Sequence, residues 1–333
     1  MWWPLSVLPV LTALLSVGDA CPLGHPVGAQ NAYPVSDNQT LWRRVRVGGG
    51  GGDDGAPTAS SLFNMGDGKT PGDCSGQSGV MNDWLKEAIL LHDAVETAYD
   101  STKSNKRLML LWISFFGIEF NTHEGTPDTD DDVFPSQASD SRITAYFIEA
   151  FKGYNFEPDT EDSLCGKATL YALTARPQPN PDRTIVEETE IEIGEYDRHI
   201  VFCPPSFSPG AGHPHSYPSL SQAVSSDHYP KGDPEDRTSG DMKLDQYLPV
   251  SATFYHELYH LADAAGITSD PFYSLTSALN AAKSNGRGET HRNPESFVFF
   301  AMAAYMYLNP PQGRDAVLFV GGIPVKASWI TPN

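Results

Sequence analysis

Two histidines four residues apart, His256 and His260, bracket an acid in the run Phe254-Tyr255-His256-Glu257-Leu258-Tyr259-His260. On a helix this spacing places both imidazoles on one face, one turn apart, where they can converge on a single ion. Glu257 lies beside them, where a carboxylate can reach a metal-bound water. This H-E-x-x-H pattern is the one that holds Zn2+ on the helix of a metallohydrolase. Two imidazoles do not complete such a site. A third protein ligand is expected, together with an open position for water.

Four downstream residues could supply that ligand: Asp263, Asp270, His291 and Glu295. Asp263 shares the helix but lies about 60° off the His260 line, so it is better placed to hold an imidazole N–H than to bind metal. Glu295 follows Asn293-Pro294 and reads as the first-turn acid of a new helix, with Asn293 as N-cap and Pro294 at the first helical position. His291 precedes that cap and could line a cleft. Asp270 comes four residues after Gly266, far enough for the chain to double back. Its competing reading is the N-cap of a helix starting at Pro271.

The helix that carries the motif is marked by Val250, Phe254, Leu258, Leu261 and Ala265, an apolar stripe roughly 200° around from the histidines. It predicts a helix with its back in a core and its histidines facing a cleft, closed by Gly266 as C-cap. Upstream, Trp84, Ala88, Leu91, Val95 and Ala98 recur at helical steps, and the apolar run after Arg107 reads as a buried segment. Residues 143–151 also read as helical. Strands are expected at 167–174, 185–193 and 198–203. Asp128, Asp130, Asp131 and Asp132 lack the glycine and terminal glutamate of an EF-hand, so they read as a solvated acidic loop. Residues 204–247, rich in Pro, Ser, Gly and Asp, read as a long surface loop. From Leu248 the pattern returns to helix.

Residues 1–20 read as a secretory signal peptide, apolar from Leu5 to Val17 with Gly18 and Ala20 before the cleavage site. Residues 21–70 read as a flexible pro-segment or linker, with five consecutive glycines (Gly48–Gly52) and a basic cluster at Arg43, Arg44 and Arg46. A single domain is expected at 71–333. An oxidising destination would favour disulfides among the four cysteines, and Asn38 begins a glycosylation sequon. A formal charge of −20 over 333 residues argues against nucleic acid and against an anionic membrane as partners. No G-x-S-x-G elbow occurs and no histidine adjoins Cys165, so neither serine nor thiol hydrolysis is supported.

The motif with Thr268-x-Asp270-x-x-Tyr273 resembles the aspzincin metallopeptidases, the group of the deuterolysins and lysine-specific metallo-endopeptidases. Residues Asn293–Ala301 and the run Ile200-Val201-Phe202-Cys203-Pro204 are similar to the family's later helix and its Cys-ending strand. The resemblance implies an α+β, zincin-like metallopeptidase domain, mainly helical with a small sheet. It implies one Zn2+ on His256, His260 and Asp270, with Glu257 as general base toward a polypeptide substrate. Tyr273 is implied as oxyanion donor, unless it is a core residue. The implied disulfides are Cys165–Cys203 and Cys21–Cys74, and the expected state is a monomer. Leu258-Tyr259-His260-Leu261, with residues 282–291, is also similar to secreted fungal surface antigens that scavenge zinc without proteolysis. Those carry Arg where this chain has Glu257, so the glutamate favours the enzyme.

Overall fold

The computed structural model describes residues 21–23, 58–63, 65, 74–101, 104–117, 120–121, 126–127, 171–175, 185–186, 191–192, 199–207, 215, 217–233, 242–262, 268–284 and 287–331. The expected signal peptide, Asn38, Cys165, the acidic loop at 128–132, the helix at 143–151, Asp263 and Gly266 lie outside them.

Helices build the core. α1 is Ala59–Leu62, α2 Ser78–Ser101 and α3 Lys106–Phe116. α4 is Leu220–Ala223 and α5, the motif helix, is Ser251–Ala262. α6 is Leu275–Lys283, α7 Arg287–Thr290 and α8 Pro294–Leu308. The long helices α2, α3, α5 and α8 pack on one another. Their contact is aromatic: Trp112 of α3 lies 4.0 Å from Phe300 of α8 between ring centroids. Phe297 of α8 stacks on Tyr259 of α5 at 4.5 Å. Tyr255 of α5 reaches back to α2, its hydroxyl 3.2 Å from Nδ1 of the buried His92.

The main sheet is antiparallel and small, in the order β1 (Cys21–Leu23), β7 (His199–Phe202), β4 (Ala172–Ala175). Cys21 lies opposite Phe202 on one side of β7, and Ala172 lies opposite Phe202 on the other. Two-stranded pairs join β2 (Phe120–Asn121) to β3 (Thr126–Pro127) and β5 (Ile185–Val186) to β6 (Ile191–Glu192). Phe202 and Phe254 put their rings 5.8 Å apart, which fixes β7 against α5.

α3 ends where Gly117 turns left-handed, at φ 65°. A Cβ on Gly117 would collide with the carbonyl oxygen of Ala282 at the end of α6. Strain and collision act together, so Gly117→Ala is expected to cost about 2–4 kcal/mol, read as a lower urea midpoint with unchanged slope.

Three expectations change here. The segment at 21–70 does not serve the fold only as a tether: it supplies β1, and Phe63 is buried with its ring against Phe254 at 6.1 Å. The stretch at 204–247 is anchored rather than draped. Tyr217, Leu220, Ala223, Tyr229, Leu244 and Tyr247 are buried, and the Tyr229 hydroxyl donates to the Met306 carbonyl at 2.7 Å. Irregularly spaced anchors among polar residues hold it without a periodic signal. The chain also does not stay helical at its end. β8 (Val317–Val320) and β9 (Ile323–Lys326) form a hairpin in which Gly321 and Gly322 both take positive φ, as a tight two-residue turn requires.

Candidate metal centre

α5 is set in place at its first residue. The Ser251 hydroxyl donates to Glu87 of α2 at 2.5 Å, and the same carboxylate accepts the Leu220 N–H at 2.9 Å. Burial pushes the Glu87 carboxyl up, against the opposing pull of these two bonds. From that pin the helix runs inward. Every side chain from Ser251 to His260 is buried. The helix expected to be amphipathic is therefore buried on its histidine face as well as on its back. Other segments cover that face: Thr174 of β4 lies over Glu257, His215 over Thr253, and residues 268–273 and the start of α8 over the histidines.

Beneath that cover, His256 and His260 bring their Nε2 atoms to 3.2 Å from each other. Asp270 arrives from beyond the bend. Its Oδ1 lies 3.3 Å from Nε2 of His256, and both its oxygens lie 3.0 Å from Nε2 of His260. The competing N-cap reading of Asp270 does not hold, because α6 begins at Leu275 and its N-cap is Ser274.

Each ring is also held from behind. His256 Nδ1 lies 2.9 Å from Oε2 of Glu295, which as a carboxylate accepts the N–H. His260 Nδ1 pairs with the Thr268 hydroxyl at 3.1 Å. Both rings thus turn Nε2 inward, toward each other and the Asp270 carboxylate. Three such polar atoms this close repel one another unless a proton or cation lies among them. A tetrahedron of zinc bonds of about 2.0–2.2 Å has edges of about 3.3–3.6 Å. The spacings of 3.0–3.3 Å lie at or just below that range. Among the described residues, His256, His260 and Asp270 form the group able to hold a metal ion.

The electrostatics are mutual. Burial works against a charged Asp270, yet hydrogen bonds from His256 and His260 outweigh it and hold the carboxyl well below the usual range. Burial likewise opposes the charged ring of His256, but Asp270 and Glu295 together raise it well above an ordinary imidazole. Glu257, only 6% exposed, is pushed up by burial; His256, His260 and the Thr174 hydroxyl pull the other way. That hydroxyl lies 2.6 Å from Oε2 of Glu257 and 3.2 Å from its backbone oxygen.

Tyr273 is no core residue. It is 61% exposed, with its ring stacked on His256 at 6.2 Å and 19° between planes. Cys74 and Cys203 are both disulfide-bonded, and their expected partners Cys21 and Cys165 have side chains outside the described residues.

No protein-family model, curated protein or solved structure matches the chain.

Glu295, one of the four candidates for the third ligand, stands at the start of α8 as its local pattern implies, but it is buried and bonded to His256. Thr268 had no role beyond its place in a motif. Thr174 was one residue of an expected strand. The signal that could have exposed Glu295 was the company it keeps, a carboxylate in a helix whose next nine residues are almost wholly apolar.

The loop bearing Thr268 and Asp270 is docked as well. The Ser269 N–H donates to the Arg292 carbonyl at 3.0 Å, two residues before α8 begins. One end of α8 thus steadies both the Asp270 loop and, through Glu295, the ring of His256.

Proposed function

We propose that this chain is a secreted zinc-dependent metallo-endopeptidase of aspzincin type, with His256, His260 and Asp270 as the zinc ligands. The observation that carries the reading is the convergence of three ligand atoms, 3.0–3.3 Å apart, from one helix turn and a later loop. When bound, zinc supplies Lewis acidity for a carbonyl and an acidified water. The chain's own residues do the rest. Asp270 neutralises charge among the imidazoles and closes the ligand set. Glu257 is a desolvated carboxylate next to His256, with one oxygen held by Thr174, and the other is left to accept a proton from water and pass it to the leaving amine. The exposure of Tyr273 and its stacking on His256 support a contact between this ring and a polypeptide substrate. The apolar leader supports secretion, and among the described residues no helix is long and apolar enough to cross a membrane.

The test is metal content beside casein cleavage. The purified chain is expected to carry one zinc per molecule and to cleave casein in a chelator-sensitive way. His256→Ala is expected to lose both. Zinc bound at one equivalent without any cleavage would favour the zinc-scavenging alternative. No zinc in the wild type would remove both readings.

A further inference from the structure

The two imidazoles are alike in sequence but unlike in what stands behind them. Behind His256 is the Glu295 carboxylate at 2.9 Å; behind His260 is the neutral Thr268 hydroxyl at 3.1 Å. We propose, resting on the zinc-site reading above, that Glu295 is a positioning residue which makes His256 the stronger and His260 the weaker of the two imidazole ligands.

The ordinary reason for an acid at a helix start does not by itself explain Glu295. It is the second residue of α8, where an exposed carboxylate would answer the helix dipole from solvent. Glu295 is instead only 8% exposed, and its neighbours Pro294, Ser296, Phe297 and Val298 are buried too. Sinking a carboxylate costs several kcal/mol unless a partner compensates it, and an apolar residue of similar size would serve packing as well or better. The partner the fold provides is the Nδ1–H of His256. A carboxylate that accepts this proton fixes the ring's tautomer and plane. It also pushes electron density toward Nε2, the atom that faces His260 and Asp270. A hydroxyl does the first of these for His260 and little of the second.

The rigidity of the support strengthens the inference. α8 is buried from Pro294 to Ala304, and Phe297 is locked between Phe116 at 5.0 Å and Tyr259 at 4.5 Å. Tyr259 is itself on α5, between the two histidines and one step before His260. Glu295 is therefore not a side chain swung in from a loop; helix-to-helix packing sets its distance to His256.

The experiment measures zinc affinity of the full chain by competition with a chromophoric chelator, and the visible spectrum of the Co2+-loaded protein. Glu295→Gln keeps size and one acceptor but loses the charge. It is expected to weaken zinc binding about 10–100-fold and to shift the cobalt bands. Thr268→Val is expected to weaken binding about fivefold or less, as for one neutral hydrogen bond. Glu295→Asp, which restores the charge on a shorter arm, is expected to recover part of the affinity. Thermal unfolding of each metal-free variant reports folding separately; if Glu295→Ala fails to fold, the isosteric Gln variant carries the comparison. The inference is overturned if Glu295→Gln binds zinc within threefold of wild type with an unshifted cobalt spectrum, or if Thr268→Val is the weaker binder. A wild type that binds no zinc overturns this inference and the function together, whereas zinc binding indifferent to Glu295 overturns this inference alone.

Discussion

Alanine at Glu257 is expected to slow casein cleavage about 10³-fold while one zinc stays bound. A positioned base contributes roughly 10²–10⁴ to proton-transfer chemistry, and the other carboxylates at the site, Asp270 and Glu295, are engaged by His260 and His256. Retention of the metal follows because Glu257 is not one of the three converging residues. The fold should also tolerate the change. Removing a buried carboxylate relieves a desolvation cost, and Thr174 keeps an acceptor, because its hydroxyl lies 3.2 Å from the Glu257 backbone oxygen as well. Initial rates and metal content, measured on the same preparations, check the expectation. Equal rates for mutant and wild type would take the proton-transfer role away from Glu257. Loss of zinc along with activity would mean that this side chain holds the metal site together.

The second large effect concerns stability. Trp112→Ala is expected to cost about 3–5 kcal/mol, at the upper end for a single substitution. Trp112 is fully buried, and its ring meets Phe300 at 4.0 Å, Phe116 at 5.4 Å and Tyr99 at 6.4 Å. No neighbour can fill the space without leaving its own contacts, because Phe116 and Phe300 also pack on each other at 5.5 Å. The loss is measured by urea unfolding of the metal-free protein. Since α8 carries Glu295, zinc should return part of it: a ligand at a hundred times its Kd adds about 2.7 kcal/mol to the folded state. An unchanged unfolding midpoint would mean that the α3–α8 contact is not a principal support of the fold.

What could be read in advance follows from the range of each interaction. His256, Glu257 and His260 are legible because the helix period alone brings them together. Asp270 is legible as one candidate among several, ten residues past His260, and only the resemblance singled it out. Thr174 and Glu295 act across 83 and 39 residues, and no local period links them to α5. Glu295 was further masked by a sound local explanation, since an acid after Asn-Pro at a helix start needs no other reason. The helix α2 is legible through its apolar spacing, whereas the run that forms α3 is legible only as a buried apolar segment. The hairpin of β8 and β9 was not read, although a Gly-Gly pair between two apolar runs is a turn signal in its own right. The anchors within 204–247 are single aromatic and aliphatic residues set among prolines and serines, and they become visible only when the surfaces they press against are in place.

The docking of the Asp270 loop onto Arg292, two residues before α8, bears on which ions such a centre would admit. With Ser269 tied to Arg292 and each ring braced from behind, the three proposed ligand atoms are held by contacts from both α5 and the start of α8. Calcium bonds oxygen at about 2.3–2.6 Å and wants six or more partners. To seat it, those contacts would have to give along α5 and α8 at once. In a zinc site of this kind, the braces would add a size restriction to the preference against calcium that two imidazole nitrogens already give.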